Sequence, residues 1–226
     1  PAAERLAANL LDYIRTAPPV SGKRFAVLAG AEFKATLGSL RLSGETADPA
    51  AADLIVAGPG AAAYPDLSKE VAGGKTLLAF GLSAAELKRL LPELPAEDCK
   101  NRPSLPARFD HPLLAGISDL DTYFQTRLDY AAVDGKELAA VPVGKGVCVT
   151  VGVTPGMLDY NALFRLRSSY RRRLFLVAQL LRNGGIASES PLLERFKSAP
   201  AANPWLDSFY VQQPIAGDDP YRYYHW

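Results

Sequence analysis

Serine, cysteine, histidine and clustered arginine are the side chains through which this sequence could do covalent or ionic chemistry, and each stands at a few suggestive places. Gly81-Leu82-Ser83-Ala84-Ala85 joins an apolar run to an amphipathic one, in the manner of a G-x-S-x-G elbow with alanine in the last place. Ser83 is then a candidate nucleophile and needs a base. Only His111 and His225 exist, and His111, ahead of Pro112, is the one that could approach. A structural reading competes and is favoured: Ser83-Ala84-Ala85-Glu86 is also a capping box, with Ser83 closing a helix start and Glu86 reaching back.

Gly58-Pro59-Gly60-Ala61-Ala62-Ala63 follows a second apolar run and fits G-x-G-x-x-A, the pattern that brings backbone close to a pyrophosphate. Pro65 interrupts the helix that should follow, and Ala79-Phe80-Gly81 closes the next strand without a ribose-binding acid. A plain strand-to-helix turn is the better reading, and no cofactor is expected. Gly58, Gly60, Gly81 and Ser83 stay candidates for a small sugar or anion held at the carboxyl ends of strands. Cys99 and Cys148, with so little histidine, make no metal site, and both read as structural, although they could pair as one disulfide. Arg165, Arg167, Arg171, Arg172 and Arg173 could grip a phosphate, but such a run is more often a solvated helix face or an ion-pair network. Asp119, Asp121, Asp218 and Asp219 read as turn and cap residues rather than an acid/base pair.

The elements that must position these residues follow from periodicity. Apolar runs at 24–29, 52–57 and 75–80 alternate with helical stripes at 32–40, 65–72 and 84–91, and a further stripe at 3–16 precedes them. Strand and helix in alternation with short links predict a parallel sheet covered on both faces. Pro92, Pro95, Pro103, Pro106 and Pro112 break the pattern, so 92–112 is expected to be a loop or irregular excursion. Val141-Pro142-Val143, Gly144-Lys145-Gly146 and the run 147–153 predict an antiparallel hairpin, and 168–183 a long helix stopped by Gly184-Gly185. Trp205, Phe209, Tyr210, Tyr221, Tyr223, Tyr224 and Trp226 crowd the last residues, where a free tail would be poor in aromatics, so this arm is expected to dock on something.

Composition bounds the rest. With 226 residues, 48% hydrophobic and 22% charged, the chain is an ordinary globular one. It divides into an α/β domain over 1–186 and an aromatic arm over 187–226. A net charge of +1 gives no basic surplus for nucleic acid. No apolar run approaches the roughly 18 residues of a membrane span, and with Glu4, Arg5, Asp12 and Arg15 among the first fifteen residues no signal peptide is expected there. The compartment stays open. Pro1, with the only methionine at Met157, fits an excised fragment as well as a processed start.

Several segments together resemble a known family. They are Gly73-Gly74-Lys75-Thr76-Leu77-Leu78-Ala79-Phe80-Gly81-Leu82, His111-Pro112-Leu113-Leu114-Ala115-Gly116-Ile117, Gly144-Lys145-Gly146, Leu180-Leu181-Arg182-Asn183-Gly184, and Asp218-Asp219-Pro220-Tyr221-Arg222-Tyr223-Tyr224-His225-Trp226. These resemble the C-terminal region of bacterial glycoside hydrolase chains of the family 2, β-galactosidase-like type, which carry a class I glutamine amidotransferase-like domain. The resemblance implies a flavodoxin-like, doubly wound, mostly parallel sheet with a late antiparallel hairpin. It implies a non-catalytic accessory domain of a carbohydrate-processing enzyme, because Phe80-Gly81-Leu82-Ser83 stands at the elbow without the cysteine of active relatives. Its partner would be the catalytic glycoside hydrolase domain of the parent chain or another protomer, with carbohydrate a further possibility.

Overall fold

The computed structural model describes residues 22–38, 40–61, 64–104, 111–117, 119–133, 136, 138–158 and 167–188. Four apolar runs form strands: β1 (Phe25–Leu28), β3 (Leu54–Ala57), β4 (Thr76–Phe80) and β8 (Gly146–Val151). They pair in parallel in that order, and β7 (Ala139–Val143) closes the far edge antiparallel to β8. Residues of β3 are buried throughout, as expected of a strand covered on both sides. Outside β1, Phe25 N–H donates to Gly44 O and Thr46 N–H to Phe25 O, so the segment after β2 (Leu42–Ser43) borders that edge.

Alternation along the strands sends side chains into two cores. On one face Leu54, Val56, Leu78, Phe80, Val149 and Val151 meet α1 (Ala31–Gly38) and α5 (Arg167–Asn183), the long helix that follows the single turn of α4 (Asp119–Thr122) in the chain. Phe33 of α1 lies with its ring 5.6 Å from that of Phe80. On the other face Ile55, Ala57, Leu77, Ala79 and Cys148 meet α2 (Leu67–Ala72) and α3 (Ala84–Leu90). The sheet with helices on both faces, the hairpin and the long last helix are therefore present, and the sheet is mixed and mostly parallel.

Helix ends obey local chemistry. α5 stops at Gly184-Gly185, where Gly185 takes a φ of +93° and Ile186 N–H reaches back to Leu181 O, the left-handed C-terminal closure glycine permits. Its Arg173 is 5% exposed and directs Nη1 toward Met157 O, so this arginine does not belong to a solvated face. The turn between β7 and β8 tucks under α2: Lys145 N–H donates to Ala72 O, and Gly146 runs so close to Val71 O that no Cβ fits.

One expectation fails. Much of the segment expected as an irregular excursion is β5 (Ala96–Ser104), paired antiparallel with β6 (Tyr123–Val133) in a ribbon of its own. Register shifts near Arg102 absorb the irregularity, and Pro103 sits inside the strand. Proline is tolerated here because a two-stranded ribbon consists only of edge strands. Ala96, Ala131 and Val133 anchor it in the second core. Residues 187 and 188, the first of the expected arm, form β9 and pair with β2. The arm's aromatics, His225, Arg165 and the helix expected over 3–16 lie outside the described residues. Among the described residues, no helix is long and apolar enough to cross a membrane.

Candidate functional site

At the end of β4 the chain must turn from the sheet into α3, and Gly81 makes that turn with a φ of +59°. Its N–H donates to Val151 O at 2.6 Å. A Cβ added here would lie 2.8 Å from Thr154 Cα and 2.8 Å from Val153 O, which are backbone atoms of the neighbouring strand's exit. The left-handed elbow position therefore belongs to a residue without a side chain, and the surrounding backbone leaves no space for one.

Ser83 stands two residues on, in extended conformation, as N-cap of α3. Glu86 N–H donates to Ser83 Oγ at 3.3 Å, while Ser83 N–H and Oγ–H both reach Glu86 Oε2, at 2.9 and 2.8 Å. The capping box is complete. Burial pushes the Glu86 carboxyl up, but Ser83's donors, the Gly60 N–H and Arg89 outweigh it and hold the group below the usual range. A carboxylate so stabilised is a poor base for the Ser83 hydroxyl it accepts from.

These residues border a cleft of about 300 Å³ at the carboxyl ends of β4 and β8. Gly81, Leu82, Ser83 and Glu86 line it from α3's side, and Gly152 and Thr154 from beyond β8. Asp98, Cys99, Lys100, Asp129 and Ala131 line it from the ribbon. Asp98 Oδ1 accepts the Ala84 N–H at 2.9 Å, a second cap that ties the ribbon to the first turn of α3. Of the lining side chains Ser83, Glu86 and Cys99 stand out in the sequence. Asp98, Lys100 and Asp129 enter through the pairing of β5 with β6, which no local pattern announces.

His111 is placed elsewhere. It caps the short 3₁₀ turn 112–114, where Nδ1 accepts the Leu113 N–H at 3.2 Å. That turn packs with α5 on the opposite face of the sheet, with Asn183 Nδ2 donating to Leu113 O. No histidine lines the Ser83 cleft among the described residues. Gly58 and Gly60 are also accounted for by packing. A Cβ on Gly58 would meet the Phe33 ring at 2.5 Å, and Gly60, at a φ of +73°, lies against Gly30, whose N–H donates to Pro59 O. Neither lines the cleft, although the Gly60 N–H meets Ser83's cap at Glu86.

Both described cysteines are free thiols. Cys148 is fully buried in β8, where burial and the Glu93 charge push its thiol up to about 12, so it is inert at neutral pH. Cys99 is half-buried on the cleft wall. Among the described residues no group of histidine, cysteine and carboxylate side chains could hold a metal ion. No family model, curated protein or solved structure matches the chain.

Proposed function

We propose that this chain is a non-catalytic accessory domain of a carbohydrate-processing glycoside hydrolase, amidotransferase-like in architecture. The single observation that carries the reading is Gly81. At the strand-to-helix turn where a nucleophile would be displayed, the left-handed position holds glycine, and backbone at Val153 and Thr154 fills the space a side chain would need. Ser83, the nearest hydroxyl, is committed to the cap of α3, which also removes support from the alternative of a serine hydrolase. The carbohydrate context rests on the resemblance, whose most specific element is the terminal run Asp218-Asp219-Pro220-Tyr221-Arg222 through Trp226.

In this reading the domain braces a catalytic domain of the same chain or of another protomer. Trp205, Phe209, Tyr210, Tyr221, Tyr223, Tyr224 and Trp226 supply the contact, since tyrosine and tryptophan dominate interface energetics. Two assays test it. Ammonia release from L-glutamine and hydrolysis of p-nitrophenyl acetate should stay at the buffer rate for the chain and for Ser83→Ala alike. Titration of a family 2 catalytic domain with the chain should show saturable binding that a version ending at residue 204 loses while keeping its circular dichroism spectrum. Ammonia or ester turnover that disappears in Ser83→Ala defeats the non-catalytic reading. Equal binding by the shortened chain defeats the role of the arm.

A further inference from the structure

We infer that the cleft beside Gly81 is a binding site for a neutral, hydroxyl-rich small molecule of about monosaccharide size. The inference stands on the geometry of the cleft and is independent of any bracing role.

The cleft opens at the carboxyl ends of β4 and β8, the position at which open α/β sheets present ligands. Its volume of about 300 Å³ lies at the small end of ligand-binding cavities. The charges on its walls choose among ligand classes. Glu86, Asp98 and Asp129 are three carboxylates against one ammonium, Lys100. A phosphate or carboxylate ligand entering here would meet net negative potential, so the anion expected as one alternative from sequence is disfavoured.

The same potential would attract a cation, but the carboxylates that create it are already engaged. Glu86 already accepts the Ser83 and Gly60 donors, Asp98 accepts the Ala84 N–H, and Lys100 stands among them as a like charge. Asp129 is likewise engaged. What remains for a ligand is directional: carboxylate lone pairs, an ammonium and a hydroxyl, carried by Glu86, Asp98, Asp129, Lys100 and Thr154 of one lining. Hydroxyl groups, which both donate and accept, satisfy such a wall without adding charge. Leu82, Cys99 and Ala131 give the same cleft an apolar side for the C–H face of a ring.

The test is a titration of the ¹⁵N-labelled 226-residue chain, followed by NMR, with D-glucose, D-galactose and D-mannose, and separately with inorganic phosphate and with putrescine. At least one sugar should shift the amide signals of Gly81, Leu82, Lys100 and Gly152 along one saturating curve, leaving those of Gly30 and Gly58 in place. The exposed pair of changes Lys100→Ala with Asp129→Asn should weaken that binding by about tenfold or more, while Thr154→Val gives a smaller loss. Should the double variant fail to fold, Thr154→Val alone carries the comparison. Flat titrations with all three sugars overturn the inference. So does saturation by phosphate or putrescine in their place, or unchanged affinity in a folded variant.

Discussion

The turn after β3 and the turn after β4 stand at the carboxyl ends of neighbouring strands, and each is built on glycine. At Gly58-Pro59-Gly60 the glycines let protein close upon protein: Phe33 covers the first and Gly30 the last. At Gly81 the glycine turns the chain sharply past Thr154, and a cleft remains in front of it. Similar letters in a sequence thus serve a seal in one turn and an opening in the other. The difference comes from what faces them: α1 lies over the first turn, whereas the ribbon of β5 and β6 stands across from the second.

The contrast can be broken by substitution. Gly81→Cys should cost the most, about 3 kcal/mol or more, because the side chain meets fixed backbone and the left-handed φ penalises any L-residue. Urea denaturation measures it, and a well-folded variant with glutaminase activity would show that the elbow accommodates a nucleophile after all. Gly58→Ala should cost less, about 1–3 kcal/mol, since its Cβ meets a side chain that can shift. Combining it with Phe33→Leu should recover part of the loss, a coupling that a ligand-binding role for Gly58 does not produce.

Ser83→Ala should cost about 1 kcal/mol in the same experiment, the usual worth of a helix cap. The smallest effect is that of pH. Glu86 and Glu70, the latter bonded to Lys75 and Tyr64, both hold carboxyls below their ordinary 4.5. Their stabilisation is complete above that value and is lost as pH falls through the depressed folded-state values, because the unfolded chain then binds protons first. Thermal midpoints recorded from neutral to acid pH should fall in that window, and Glu86→Gln should flatten part of the decline.

How much of this was legible depends on where each element draws its stability. β1, β3 and β4 announce themselves because strands buried on both faces need unbroken apolar runs, and Leu54-Ile55-Val56-Ala57 supplies one. The start of α3 is legible because Ser83 and Glu86 are local partners. The ribbon is not, since Glu97, Asp98, Lys100 and Pro103 resemble loop chemistry and the partner strand begins only at Tyr123. About half of the cleft wall comes with that ribbon, so Ser83 and Glu86 are visible within a single segment whereas Asp98, Lys100 and Asp129 are not.

The order of strands carries a consequence for how the chain is made. β4 has one neighbour, β3, close behind it, but its other neighbour is β8, so that Thr76 waits for Val147 and Phe80 for Val151. As the chain leaves the ribosome, an apolar strand presents a bare hydrogen-bonding edge until the ribbon and the hairpin have followed. Distant parallel pairing of this kind closes slowly and leaves a template for wrong partners in the meantime. Production of the chain should therefore be limited by its last third, and any version truncated ahead of Gly146 should aggregate during synthesis.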